Sequence, residues 1–97
     1  MRVAALRVEL HLQSPQSLKE KRGALRPIIE GLKRLGSYSV AEVGHHDAWQ
    51  RATIGLAIVA PDGPGLHAHV GKIRAYLYSR PDVEVLDFFE SELEKPE

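Results

Sequence analysis

The sequence predicts an α+β fold in which two helices cover one face of a four-stranded antiparallel sheet. Three observations predict it. Four segments have strand character and two have helical periodicity, their order is β-α-β-β-α-β, and the 97 residues hold one core with no room for a second. A single domain over residues 1–97 is therefore expected. The composition, 43% hydrophobic and 27% charged, is that of an ordinary globule rather than a disordered or fibrous chain.

The first strand is read from residues 3 to 12, where Leu6, Val8, Leu10 and Leu12 alternate with Arg7, Glu9 and His11. After the turn signal Ser14-Pro15, the string Ser17-Leu18-Lys19-Glu20 has the form of a capping box and predicts a helix beginning at Leu18. Leu18, Leu25, Ile28, Ile29, Leu32 and Leu35 supply its apolar stripe, and Gly36 suits its end. Pro27 predicts a kink or a restarted helix, because it removes the bond to the Gly23 carbonyl. Tyr38 to Gly44 is rich in β-formers, and residues 51 to 60 place Ile54, Leu56 and Ile58 on one face of a stronger strand. The run Pro61-Asp62-Gly63-Pro64-Gly65 is a turn and helix start. Leu66, Val70, Ile73 and Leu77 then mark a second helix that ends before Pro81. Residues 83 to 89 form the last strand, and the acidic tail Ser91-Glu92-Leu93-Glu94-Lys95-Pro96-Glu97 prolongs it or frays.

This order is the split βαβ, ferredoxin-like pattern. Right-handed crossovers put both helices on one side and leave the other sheet face bare, which is where such folds usually bind a partner. No apolar run approaches the ~20 residues of a membrane span, and the first ten residues read as strand rather than signal peptide, so a cytoplasmic protein with no membrane partner is expected. Without cysteine there is no disulfide, no thiol nucleophile and no zinc-thiolate site. The absence of Asn and Cys, a single Met and eight Arg against five Lys lean toward a thermophilic source.

Thirteen basic and thirteen acidic residues exclude a uniformly basic nucleic-acid binder. The balance hides a dipole, however: residues 1–40 carry +5, residues 41–81 carry +1 and residues 82–97 carry −6. On a continuous helix Lys19, Arg22, Arg26 and Lys33 form a narrow stripe beside the apolar face. Such a stripe next to a helix N-terminus grips phosphates, and with Arg51 it makes a candidate nucleic-acid surface. Two plainer readings stand beside it, a solvated helix flank and pairing with the acidic C-terminal segment within one chain or across a dimer.

A base-stacking RNA module of the same element order carries aromatics on its central strands. Here the third strand reads Arg51-Ala52-Thr53-Ile54-Gly55-Leu56-Ala57-Ile58 and the first has no aromatic, so RNA binding would use charge and shape. Adjacent His45 and His46, read as strand, point to opposite faces, and His67 and His69 lie roughly 200° apart on a helix; neither pair converges on a metal. A site of His46, Asp47 and His11 is the remaining metal or enzymatic arrangement. The Gly63/Gly65 loop matches no nucleotide-binding fingerprint and no nucleophile-base pair is legible, so neither cofactor nor catalysis is expected. Gly44 and Gly55 mark bulges or close strand approach. The segment from Gly44 to Arg51 holds the single Trp, and Asp47, Trp49 and Gln50 are the candidate partner anchor. A structural alternative has Trp49 capping the core while Asp47 bonds turn amides.

Ser17-Leu18-Lys19-Glu20-Lys21-Arg22, then Ala41-Glu42-Val43-Gly44, Asp47-Ala48-Trp49-Gln50-Arg51-Ala52 and Ile54-Gly55, resemble the bacterial YlxP-like family, a domain of unknown function. The resemblance spans essentially the whole chain, with His46 where Gln is common. It implies a small cytoplasmic protein of ferredoxin-like fold with no known catalytic residues. Family genes often neighbour those for transcription termination, translation initiation and ribosome maturation, which implies an RNA or ribosomal-subunit partner by association. The expectation is a homodimeric binding protein rather than an enzyme, acting on RNA or a ribosome-associated partner; the alternative is an interaction module without nucleic-acid binding, in which the bare sheet face or an edge strand makes the homodimer and the charges pair between chains.

Overall fold

Alternation along the first strand decides the architecture, because one set of its side chains is apolar and must be covered. In the computed structural model, which describes residues 1–94, β1 (Arg2–Leu12) buries Ala4, Leu6, Val8, Leu10 and Leu12 beneath two helices. Then follow α1 (Leu18–Leu35), β2 (Ser39–Gly44), β3 (Arg51–Ala60), α2 (Gly63–Tyr78) and β4 (Val83–Glu94). The sheet is antiparallel throughout, in the order β2-β3-β1-β4, so β2 and β4 are its edges. This is the ferredoxin-like arrangement. Of the acidic tail, residues 91–94 prolong the strand, and Lys95, Pro96 and Glu97 lie outside the described residues.

The core lies between the helices and one sheet face. Ile54, Ile58, Leu66, Ile73, Leu77, Ile28 and Leu32 are fully buried there, each contributing roughly 1.5–3 kcal/mol by leaving water. The helices approach closely at Gly31, where a Cβ would collide with the Tyr76 hydroxyl. Ser17 caps α1 by accepting from the Glu20 amide at 3.1 Å, and the Glu20 carboxylate accepts from the Gln16 amide at 2.8 Å. Asp62 caps α2 in the same manner, accepting from the Gly65 amide at 2.8 Å.

Two expectations need correction. The sequence predicts a kink or restart at Pro27, whereas α1 is one uninterrupted helix of 18 residues. Pro27 and Gly23 both face solvent, so the carbonyl that loses its partner is open to water and the buried face is undisturbed. β2 ends at Gly44, where the sequence ends it, and His45 and His46 lie in the turn beyond it, so the strand alternation that would point them to opposite faces does not apply. The turn starts there because His45 takes the left-handed conformation, with φ 59°.

The register shifts between Glu42 and Gly44, and Gly44 and Gly55 stand where the strands crowd. A Cβ on Gly44 would lie 2.9 Å from the Thr53 hydroxyl, and one on Gly55 would lie 3.1 Å from Val43. The bulge turns Val43 outward on the bare face, next to the loop that carries Trp49.

Candidate functional site

The basic stripe predicted on α1 is real as a surface. Lys19, Arg22, Arg26 and Lys33 are all exposed, and none joins an ion pair among the described residues. Arg22 and Arg26 stand one turn apart on the flank toward β2. With Leu25, Ile29, Glu30 and Glu42 they line an open groove of about 260 Å³ between the helix and that edge strand. Cations in such a groove keep their hydration and meet an incoming anion at the rim, where attraction is salt-dependent.

The floor of this corner is Lys21, which the sequence analysis passed over as one more cation. Only 2% of it is exposed. Its Nζ donates to the His45 carbonyl at 2.6 Å and stands 2.9 Å from Glu42 Oε2, a charge contact outside hydrogen-bond geometry. Helical spacing held the signal: Lys21 precedes Leu25 by four and Ile28 by seven, so it falls on the apolar stripe. Likewise, strand alternation puts Glu42 on the helix-covered side with Val40. A non-glycine residue in the left-handed region costs about 1–2 kcal/mol, and the Lys21 bond to the His45 carbonyl helps offset it. Thus α1 clamps the start of the β2–β3 loop from below.

That loop divides the predicted anchor into parts with different roles. Gln50 is structural: its side-chain amide donates to the carbonyls of Gln13 and Pro15, each at 3.2 Å, and its own carbonyl accepts from the Leu12 amide at 2.9 Å. Trp49 is 51% exposed and projects from the loop instead of capping the core. Asp47 is exposed, and among the described residues its carboxylate accepts no hydrogen bond from the turn amides; the Ala48 amide bonds the His45 carbonyl at 3.1 Å instead.

Arg51 is separated from the α1 stripe. It begins β3 on the face opposite the helices, where its guanidinium lies 3.9 Å from Glu9. Glu9 is the hub of that face: it accepts from the Thr53 hydroxyl at 2.7 Å, and His45 and Arg7 approach it to 3.7 and 3.8 Å. His11 faces Glu84 across to β4, at 3.7 Å, while His46 meets the Glu42 carbonyl at 3.2 Å. The histidines therefore have separate partners, and no group of three metal-ligating side chains converges among the described residues.

Among the described residues, the acidic segment does not meet the α1 stripe. β4 is the edge opposite β2, under α2. There Glu92 pairs with Arg2, and Glu90 lines a cavity of about 230 Å³ with His67 and Arg74. At the turn into β4, Arg80 Nε and Nη2 donate to the two carboxylate oxygens of Asp82 at 3.0 and 2.7 Å. Those bonds hold the Asp82 carboxyl below its ordinary range and raise the Arg80 guanidinium above its own. Just before β2, the Tyr38 hydroxyl lies 2.6 Å from His69 Nδ1 of α2, and burial raises the phenol above its usual value. No helix among the described residues is long and apolar enough to cross a membrane.

Comparison with known proteins places the chain in a family. Residues 3–89 match the family described as "Protein of unknown function (DUF503)". Over 68 residues the chain is 32% identical to the Uncharacterized protein YlxP of Bacillus subtilis (strain 168), covering 70% of this chain and 74% of that protein. A dimeric ferredoxin-like protein from an uncultured marine organism aligns over 96% of this chain and 94% of its own, with a TM-score of 0.45 at 12% identity.

Proposed function

The chain belongs to the DUF503 family of unknown function, and from its own surface we propose that it is a non-enzymatic binding protein for structured RNA, free or within a ribosomal subunit. Lys19, Arg22 and Arg26 contact phosphates along one flank of α1. A single observation carries this reading: these cations are exposed and none joins an ion pair among the described residues, and Arg22 and Arg26 line the groove beside β2.

Readout is of the backbone. With no aromatic on the central strands β1 and β3, and Phe89 of β4 overlaid by the Arg7 guanidinium at 4.4 Å, the sheet lacks the platform on which such modules stack bases, whereas double-stranded RNA is recognised by its shape and phosphates. The partner anchor belongs to the same reading. Trp49 supplies an exposed apolar ring held by a loop that Lys21 and Gln50 pin at both ends.

Binding is measured against salt with purified ribosomal subunits and with ribosomal RNA alone. Lys19→Glu, Arg22→Glu and Arg26→Glu together are expected to weaken affinity at least about tenfold and to flatten the log-log salt slope by roughly two to three. Affinity and slope unchanged by the triple substitution overturn the reading.

A further inference from the structure

The sheet face opposite the helices is sorted by height. At one end Val3 sits between Val59 on β3 and Leu93 on β4, the next row on this face is Ala5 with Ala57 and Ser91, and the middle row is Arg7 between Gly55 and Phe89, its guanidinium stacked 4.4 Å over the Phe89 ring. At the other end His11 sits between Arg51 and Glu84, with Glu9 between Thr53 and Asp87 just below. Val43, Val59, Phe89 and Leu93 are each between 45% and 63% exposed. We infer that this face is the interface between two copies of the chain, packed sheet on sheet about a two-fold axis running along the strands.

Area, charge and shape each favour that occupant. Three strands of about ten residues and the six-residue β2, ~4.8 Å apart at ~3.4 Å per residue, span roughly 590 Å², about three quarters of the ~800 Å² per partner of a stable standard interface. An axis along the strands and between β1 and β3 lays apolar end on apolar end, with Val59 over the partner's Val3 and Ala57 over the partner's Ala5. It also lays mixed-sign end on mixed-sign end, so Arg51 falls beside the partner's His11 with Glu9 and Glu84 in reach. An axis across the strands would instead bury Arg51, His11 and Glu84 against Val59, Val3 and Leu93, and unpaired buried charge is costly. The small residues Ala5, Ala41, Gly55 and Ala57 let two twisted sheets approach to ~10 Å. Symmetric pairing through the edges is opposed by charge. Two β4 edges would oppose carboxylates, and two β2 edges would bring both sets of Arg22 and Arg26 together.

Sedimentation and light scattering of the intact protein at micromolar concentration are expected to give a dimer. Ala57→Arg and Val59→Asp alter exposed side chains, so circular dichroism stays native while each raises the dimer Kd about 100-fold or more. Because the chain lacks cysteine, a mixture of the Ala5→Cys and Ala57→Cys variants reports the axis: it forms a mixed cross-linked dimer faster than either variant alone. A monomeric wild type, a dimer indifferent to both charges, or self-cross-linking as fast as the mixture overturns the assignment.

Discussion

The two edges of the sheet handle charge in opposite ways. On the β2 side a lysine is buried under α1 against a carboxylate and a loop carbonyl, and the cations above it stand unpaired in solvent. On the β4 side the charges are mostly acidic and at least partly exposed, and two of the carboxylates pair with arginines, Glu92 with Arg2 and Asp82 with Arg80. Buried pairs respond strongly to the loss of one member, because the survivor is stranded in a poor solvent; exposed pairs respond weakly, because water replaces the partner. Cations left unpaired at the surface confer no fold stability, which frees them for a ligand. Substitution on the β2 side should therefore separate stability from binding, and on the β4 side it should change little of either.

Lys21→Met tests the largest difference. The thioether fills much of the same space but strands Glu42 and leaves the His45 carbonyl without its donor. Since Glu42 keeps 21% of its side chain exposed, a cost near the lower end for a broken buried pair, about 3 kcal/mol, is expected in urea unfolding. Adding Glu42→Leu should recover most of that loss by replacing the pair with apolar packing. A cost below about 1 kcal/mol for the single variant would mean that water reaches Lys21 and that the two edges are alike.

Asp82 tests the other edge through pH. Its folded-state pKa is depressed by the Arg80 bonds, so its contribution is present above the unfolded value of about 3.9 and is lost as pH falls through that value toward the lower folded one. Asp82→Asn should be less stable than the wild type above about pH 5, by no more than about 1 kcal/mol because the pair is exposed, and the gap should close in acid. Urea midpoints measured across that range check it. A gap that persists at the acid end assigns the loss to something other than the charge.

The framework of both edges was legible because it rests on short-range rules. Period-two alternation on β1 and β3, the Ser17 capping box and the step of Leu66, Val70, Ile73 and Leu77 each specify an element without knowledge of its neighbours. What escaped depends on tertiary placement. Pro27 reads as a break until its side of α1 is known to face water. Lys21 reads as surface charge unless the helical angle is trusted over the residue type. The basic and acidic segments were left as possible partners because sequence order does not say that β2 and β4 lie at opposite edges. The same limit grouped Arg51 with Arg22 and Arg26, although strand alternation puts it on the other face.

Trp49 gives the smallest expected stability effect and sharpens the comparison within one loop. A ring that capped the core would cost about 3–5 kcal/mol on truncation to alanine, the range for a large buried aromatic. With half its surface in water and no hydrogen bond among the described residues, Trp49→Ala should stay within about 0.5 kcal/mol of wild type. Gln50→Ala, three atoms shorter in side chain than the native residue, strands the Gln13 and Pro15 carbonyls and should cost about 1–2 kcal/mol in the same urea titration. That ordering, Gln50 above Trp49, is the reverse of what side-chain size alone would give. If it holds, the loop is a rigid mount for an exposed ring and Trp49 is available to a partner; if Trp49 costs more, the ring belongs to the fold and the anchor must be sought elsewhere.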